Sequence, residues 1–203
     1  MPRLTDPLDV IPALAELTLN EELLMEVIRR GEALRNSATA NHPRTAPGLF
    51  FWLETVRALR DVLPGSRAKV RESFETCVCP GERDEIAVLS GDRATGTEMD
   101  PQPKYPKRRT MAQEAIVRCQ MPLFSQDDVV RPAGPRLWFL LVRREKDVAI
   151  AELSRPEAID DAGRVVKWAT RIVLRPVAVS ASPDTESRTE YTEPVDIDIV
   201  PAE

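Results

Sequence analysis

The hydrophobic period of this chain changes once, near Ala68. Before that point apolar residues recur at the 3.6-residue spacing of helices; beyond it they recur every second residue, as on half-buried strands. A chain that places its helices first and its strands afterwards belongs to the α+β class. The expected architecture is a set of N-terminal helices packed on a mostly antiparallel β-sheet or partly open barrel. The pattern divides the chain into a helical part over 1–66, a β-rich body over 67–179 that can share its core, and a flexible acidic linker and tail over 180–203.

In the helical part, Thr18 and Glu21 stand at capping-box spacing ahead of Leu23, Leu24, Val27, Ile28 and Leu34. Gly31 is expected to weaken that helix by up to about 1 kcal/mol relative to alanine. A shorter helix is expected over Asp9–Glu16. A later one runs from about Pro47, which suits a first turn, to Leu63, where Pro64 and Gly65 stop it.

In the body, Val70, Phe74, Thr76 and Val78 share one parity, Ile86 to Leu89 is a short apolar run, and Ala115 to Leu123 alternate. Leu137 to Val142 is apolar on both parities and reads as a central strand. The charged turn from Arg143 to Asp147 leads into Val148–Leu153, and Asp160–Gly163 is a second turn signal. Beyond it Val166, Trp168, Thr170 and Ile172 alternate with Lys167, Arg171 and Arg175, which fall on the wet side. The 18 prolines favour short elements and many ordered loops. Residues 91–109 are too long and too rich in proline and glycine for a simple turn.

Several classes are excluded early. No run approaches the roughly 18 apolar residues of a membrane span, and the first residues lack the basic and apolar regions of a signal peptide. Three cysteines do not make a secreted disulfide framework, so the cytoplasm is the expected compartment. Arginine far outnumbers lysine, 23 to five, which with abundant alanine and proline suggests a GC-rich bacterial source. The net charge of −5 is unevenly spread: −2 over 1–66, +3 over 67–179 and −6 over 180–203.

Two segments stand out as candidate binding elements. Lys104, Tyr105, Lys107, Arg108 and Arg109 place four cations and one aromatic ring in six residues, a composition able to hold a nucleic-acid backbone and stack a base. The same charges also suit a solvated loop that protects a strand edge. In the tail, Val195, Ile197, Ile199 and Val200 alternate with Asp196 and Asp198, a pattern suited to strand addition onto a protein partner's sheet.

Catalytic signals are weak by comparison. Gly91–Gly96 lacks the ending of a phosphate loop and reads as a tight turn. Cys77, Cys79 and Cys119 lack metal-knuckle spacing and a fourth ligand, and His42, the single histidine, has no nucleophile elbow near it. Asp84, Asp92 and Glu152 are the carboxylates a metal-dependent hydrolase would have to bring together. Trp52, Trp138 and Trp168 sit on apolar stripes and read as core. The expectation is a non-enzymatic binding or adaptor subunit of a bacterial cytoplasmic assembly, meeting its protein partner through the tail strand or the wide apolar face of the helix over Pro47–Leu63, with no cofactor. Nucleic-acid binding through 104–109 is the alternative, and a metal-dependent hydrolase the second.

Overall fold

The computed structural model describes residues 2–63, 65, 67–71, 74–80, 83–104, 136–160 and 164–179, with side chains left out at 67–71, 74 and 75. Three helices lead into a mixed sheet: β1 (Arg3–Leu4), α1 (Pro7–Ala15), α2 (Glu21–Arg35), α3 (Ala46–Val62), β2 (Arg67–Arg71), β3 (Phe74–Val78), β4 (Asp84–Ser90), β5 (Arg136–Glu145), β6 (Val148–Ile159), β7 (Val165–Val173) and β8 (Val177–Ala178). The expected strand over Ala115–Leu123 and the acidic tail lie outside the described residues.

Each helix start has a local cause. The Asp6 carboxylate accepts from the Leu8 N–H at 2.9 Å, and Pro7 supplies a ready-made first turn for α1. For α2 the cap is Asn20, whose side chain accepts from Leu23 N–H at 2.8 Å, and not the expected Thr18. Thr18 is instead spent on closing α1: at φ +60° it turns the chain so that Leu19 N–H reaches the Leu14 carbonyl. Gly31 also has a role that its helix propensity hides. A Cβ there would lie 2.1 Å from Thr55 Oγ1 and 3.0 Å from the Phe51 ring, so the small residue lets α2 and α3 approach closely.

The sheet runs β1-β7-β6-β5-β4-β3-β2, with β8 pairing the start of β6. The pairings β1–β7 and β4–β5 are parallel and the others antiparallel. The described strands form an open sheet with β1 and β2 at its ends, which decides between the sheet and the barrel. As expected, β5 is central and buried on both parities from Leu137 to Val142. It turns into β6 through Lys146 and Asp147, with Lys146 at φ +50°. The two-residue β1 carries too little sequence to show a period.

Helices and sheet share one apolar core on the sheet's first face, where Leu14, Leu24, Ile28 and Leu59 join Leu140, Leu153 and Ile172 in a single cluster. Fully burying one such side chain contributes about 1.5–3 kcal/mol. The second face carries a smaller cluster around Phe139, Leu141 and Trp168. The ring edge of Trp168 meets Phe139 at 6.2 Å between centroids.

Parity is incomplete in one stretch and misleading in another. Thr76 and Val78 are buried as their parity predicts, but Cys77 and Cys79 are buried as well and join the helix-side core. In β7 the pairing with β6 shifts register at Arg155, Pro156 and Ala158. Trp168 thereby turns to the second face while Ile172 stays on the first. Val166 is left exposed, and Arg171, expected on the wet side, is fully buried.

Candidate functional site

The second face is covered by residues 91–104, which are held by charge. Arg171 and Glu152 are both fully buried and form a bidentate pair, Nε to Oε1 at 3.0 Å and Nη2 to Oε2 at 2.7 Å. The guanidinium spends its remaining donors on the loop, reaching the Met99 carbonyl at 2.9 Å and the Thr97 carbonyl at 3.1 Å. The carboxylate accepts from Gly96 N–H at 2.8 Å and Ser154 Oγ at 2.7 Å. Arg3 and Arg143 add bonds to the carbonyls of Gly96 and Thr95. Nearly every lone pair and N–H of this buried pair is therefore occupied, the condition under which buried charges are tolerated.

Asp84 lies on the first face, where its carboxylate accepts two bonds from Arg136 and one from the Trp138 indole, all at 2.8 Å. Asp92 caps the tight turn expected at Gly91–Gly96, accepting from Ala94 N–H at 3.0 Å. The three carboxylates considered for metal-assisted hydrolysis are thus not assembled: Asp84 and Glu152 point to opposite faces, and each already holds structural donors. Among the described residues no group of three or more His, Cys, Asp and Glu is placed to hold a metal ion. Cys77 and Cys79 are buried thiols, and burial pushes Cys79 up to about 12, far from the thiolate that ligation needs. His42 caps the turn before α3, its Nδ1 accepting from Thr39 N–H at 3.0 Å while its ring meets Phe50 edge-on.

A cleft opens on the first face between the starts of β4 and β5 and the end of α1. Its floor carries Asp84, Arg136, Trp138 and Arg155, and its roof is the end of α1 at Glu16, Leu17 and Thr18. A space of about 290 Å³ beside Arg83 is continued by one of about 120 Å³ beside Arg155; Glu16, Leu17 and Arg136 line both. The Arg155 guanidinium lies 5.9 Å from the centre of the Trp138 ring. Hydrogen bonding to Asp84 raises the pKa of Arg136 further, so Arg136 stays charged.

Next to the cleft, α1 shows an unusual outer surface. Its inner side buries Val10 and Leu14, yet Leu8 is 82% and Ile11 63% exposed, with Pro12 and Ala15 exposed on the same side. A helix apolar on both sides but covered on one presents a surface suited to contact.

Of the binding residues singled out in the sequence, only Lys104 is described. Its side chain is exposed, and its N–H bonds the Ser90 carbonyl at 2.8 Å, anchoring the loop to the end of β4. Tyr105, Lys107, Arg108, Arg109, Val195, Ile197, Ile199 and Val200 lie outside the described residues, as does Cys119. The cleft arginines and the outer face of α1 were not among the expected sites. A signal for the second was present, since between Pro7 and Ala15 only Asp9 is charged. No described helix is long and apolar enough to cross a membrane. Compared with protein-family models, curated proteins and solved structures, the chain matches none.

Proposed function

We propose that this chain is a non-enzymatic binding subunit of a protein assembly in a bacterial cytoplasm. In this reading it docks through the outer face of α1 and adds the Val195–Val200 segment as a strand to its partner. The observation that carries the reading is the exposure of Leu8 and Ile11 on a helix whose opposite side is already buried. Large apolar side chains held out in this way lose nothing on folding and gain on association. The engagement of Asp84 and Glu152 in structural bonds supports a scaffold role for these carboxylates.

The test is affinity purification of the tagged chain from a GC-rich bacterial host carrying its neighbouring genes, with and without nuclease. A stoichiometric protein partner should be lost with the Leu8→Asp, Ile11→Asp double variant and weakened by deletion of residues 181–203, the body staying folded by circular dichroism. If both variants keep every partner, the reading fails. Nuclease-sensitive nucleic acid in place of a protein would instead favour binding through Lys104, Tyr105, Lys107, Arg108 and Arg109.

A further inference from the structure

We propose that the cleft between the end of α1 and the floor of Asp84, Arg136, Trp138 and Arg155 binds a small ligand through oxyanion groups, carboxylate or phosphate, with the Arg83 guanidinium at one end of the cleft and the Arg155 guanidinium at the other. The inference is independent of the assembly reading, which uses the outer side of α1.

The charge balance of the cleft is the first ground. Asp84 is neutralised within the floor by both bonds from Arg136 and by the Trp138 indole. Removing that pair from the count leaves, among the described lining residues, Arg83 and Arg155 against the carboxylate of Glu16. Neither Arg83 nor Arg155 forms an ion pair with a described residue, although carboxylates are plentiful on this protein. Several other arginines on the helix side are paired, as Arg144 is with Glu32 and Arg57 with Glu54 and Asp61.

Preorganisation is the second. Arg155 lies over the Trp138 ring, and the indole is fixed in turn by its bond to Asp84. A guanidinium stacked on an aromatic ring keeps its edge donors directed outward, so less side-chain entropy is lost when it meets a planar or tetrahedral oxyanion. Arg136 is the central element of this floor, and its role is to position: it holds Asp84, which holds Trp138, which supports Arg155.

The shape of the site is the third. Two neighbouring spaces of about 290 and 120 Å³ that share Glu16, Leu17 and Arg136 as walls take a ligand of several heavy atoms and not a folded segment. Thr18 lines the rim from a backbone conformation at φ +60° that a β-branched residue adopts only at a cost.

The experiment is titration of the full chain with inorganic phosphate and, separately, with succinate, following the indole N–H resonance of Trp138 by NMR. A saturable shift with either probe is expected, and the probe that produces it identifies the source of the oxyanion. Affinity should weaken by about tenfold or more in Arg83→Ala and in Arg155→Ala. It should be unchanged in Arg164→Ala, an exposed arginine outside the cleft. Preserved dispersion of the tryptophan resonances checks that the variants are folded. No saturable shift with either probe overturns the proposal, as does equal weakening in Arg164→Ala, which would mark only a general attraction of anions.

Discussion

On one side of the sheet, Leu140 and Leu153 are buried in a common cluster with Leu24, Ile28 and Leu59. On the other, Glu152 and Arg171 are buried against the carbonyls of Thr97 and Met99. The helical cover is held by non-directional burial, which scales with apolar area and accepts substitutions of similar volume. The loop cover is held by hydrogen bonds and by the ion pairs of Arg171 with Glu152 and Asp100, each requiring its partner in place. A loop of residues 91–104 with few large apolar side chains cannot be held down by area. Arginine, with five donors in a fixed fork, can span a carboxylate and two backbone carbonyls at once. The helix side is therefore built to tolerate change, and the loop side to specify one arrangement.

The sharpest way to break this contrast is Arg171→Met, which leaves the Glu152 carboxylate buried without its counter-charge. Loss of about 3–5 kcal/mol is expected in urea unfolding. Adding Glu152→Leu should recover much of the global loss, yet amide exchange at 94–99 should stay fast in the double variant. If the double variant protects those amides as the wild type does, the pair is not what holds the loop. On the helix side, Leu59→Ala should cost about 2–5 kcal/mol through its cavity. It should leave the relative protection of 94–99 unchanged.

Smaller effects refine the picture. Gly96 has φ +77°, and a Cβ there would meet Ile150 Cγ2 at 2.4 Å, so Gly96→Ala should cost about 1–3 kcal/mol and free the loop before the sheet. Thr18→Gly should do the reverse at the end of α1, stabilising by about 1 kcal/mol as a left-handed strain is relieved, measurable as a raised unfolding midpoint. If that variant is destabilised, the Thr18 side chain makes a contribution larger than its strain.

The smallest expected effect is one of pH. Burial raises Glu32 above its ordinary 4.5, although Arg35 and Arg144 oppose the shift. Because the folded state then holds its proton more tightly than the unfolded chain, its stabilising contribution is fully present below pH 4.5 and lost as pH rises through the raised value. Relative to Glu32→Gln, the wild type should be favoured more below pH 4.5 than at neutral pH, as read from paired urea midpoints.

Much of the architecture was legible in the chain because its causes are local. Asp6 and Pro7, and Pro64 with Gly65, mark helix ends through groups within a turn of one another. The double-sided apolar run from Leu137 to Val142, flanked by turn signals, reads as a strand covered on both faces. Even the exposed side of α1 was written in Pro7–Ala15, where apolar residues encircle a helix that has too little neighbouring structure to cover them.

What only the tertiary structure decided is which polar residues are inside and whom they meet. Glu152 and Arg171 are 19 residues apart, and Gly96 is a further 56 from Glu152. Whether Arg171 faces water depends on register shifts between β6 and β7 that reassign Trp168 and Ile172 to opposite faces. The cleft likewise exists because the starts of β4 and β5 and the later part of β6 meet the end of α1, a matter of placement. Periodicity reports how a residue is oriented on its own element. Charge pairing and clefts depend on where separate elements stop against each other, and the chain records that only once it is folded.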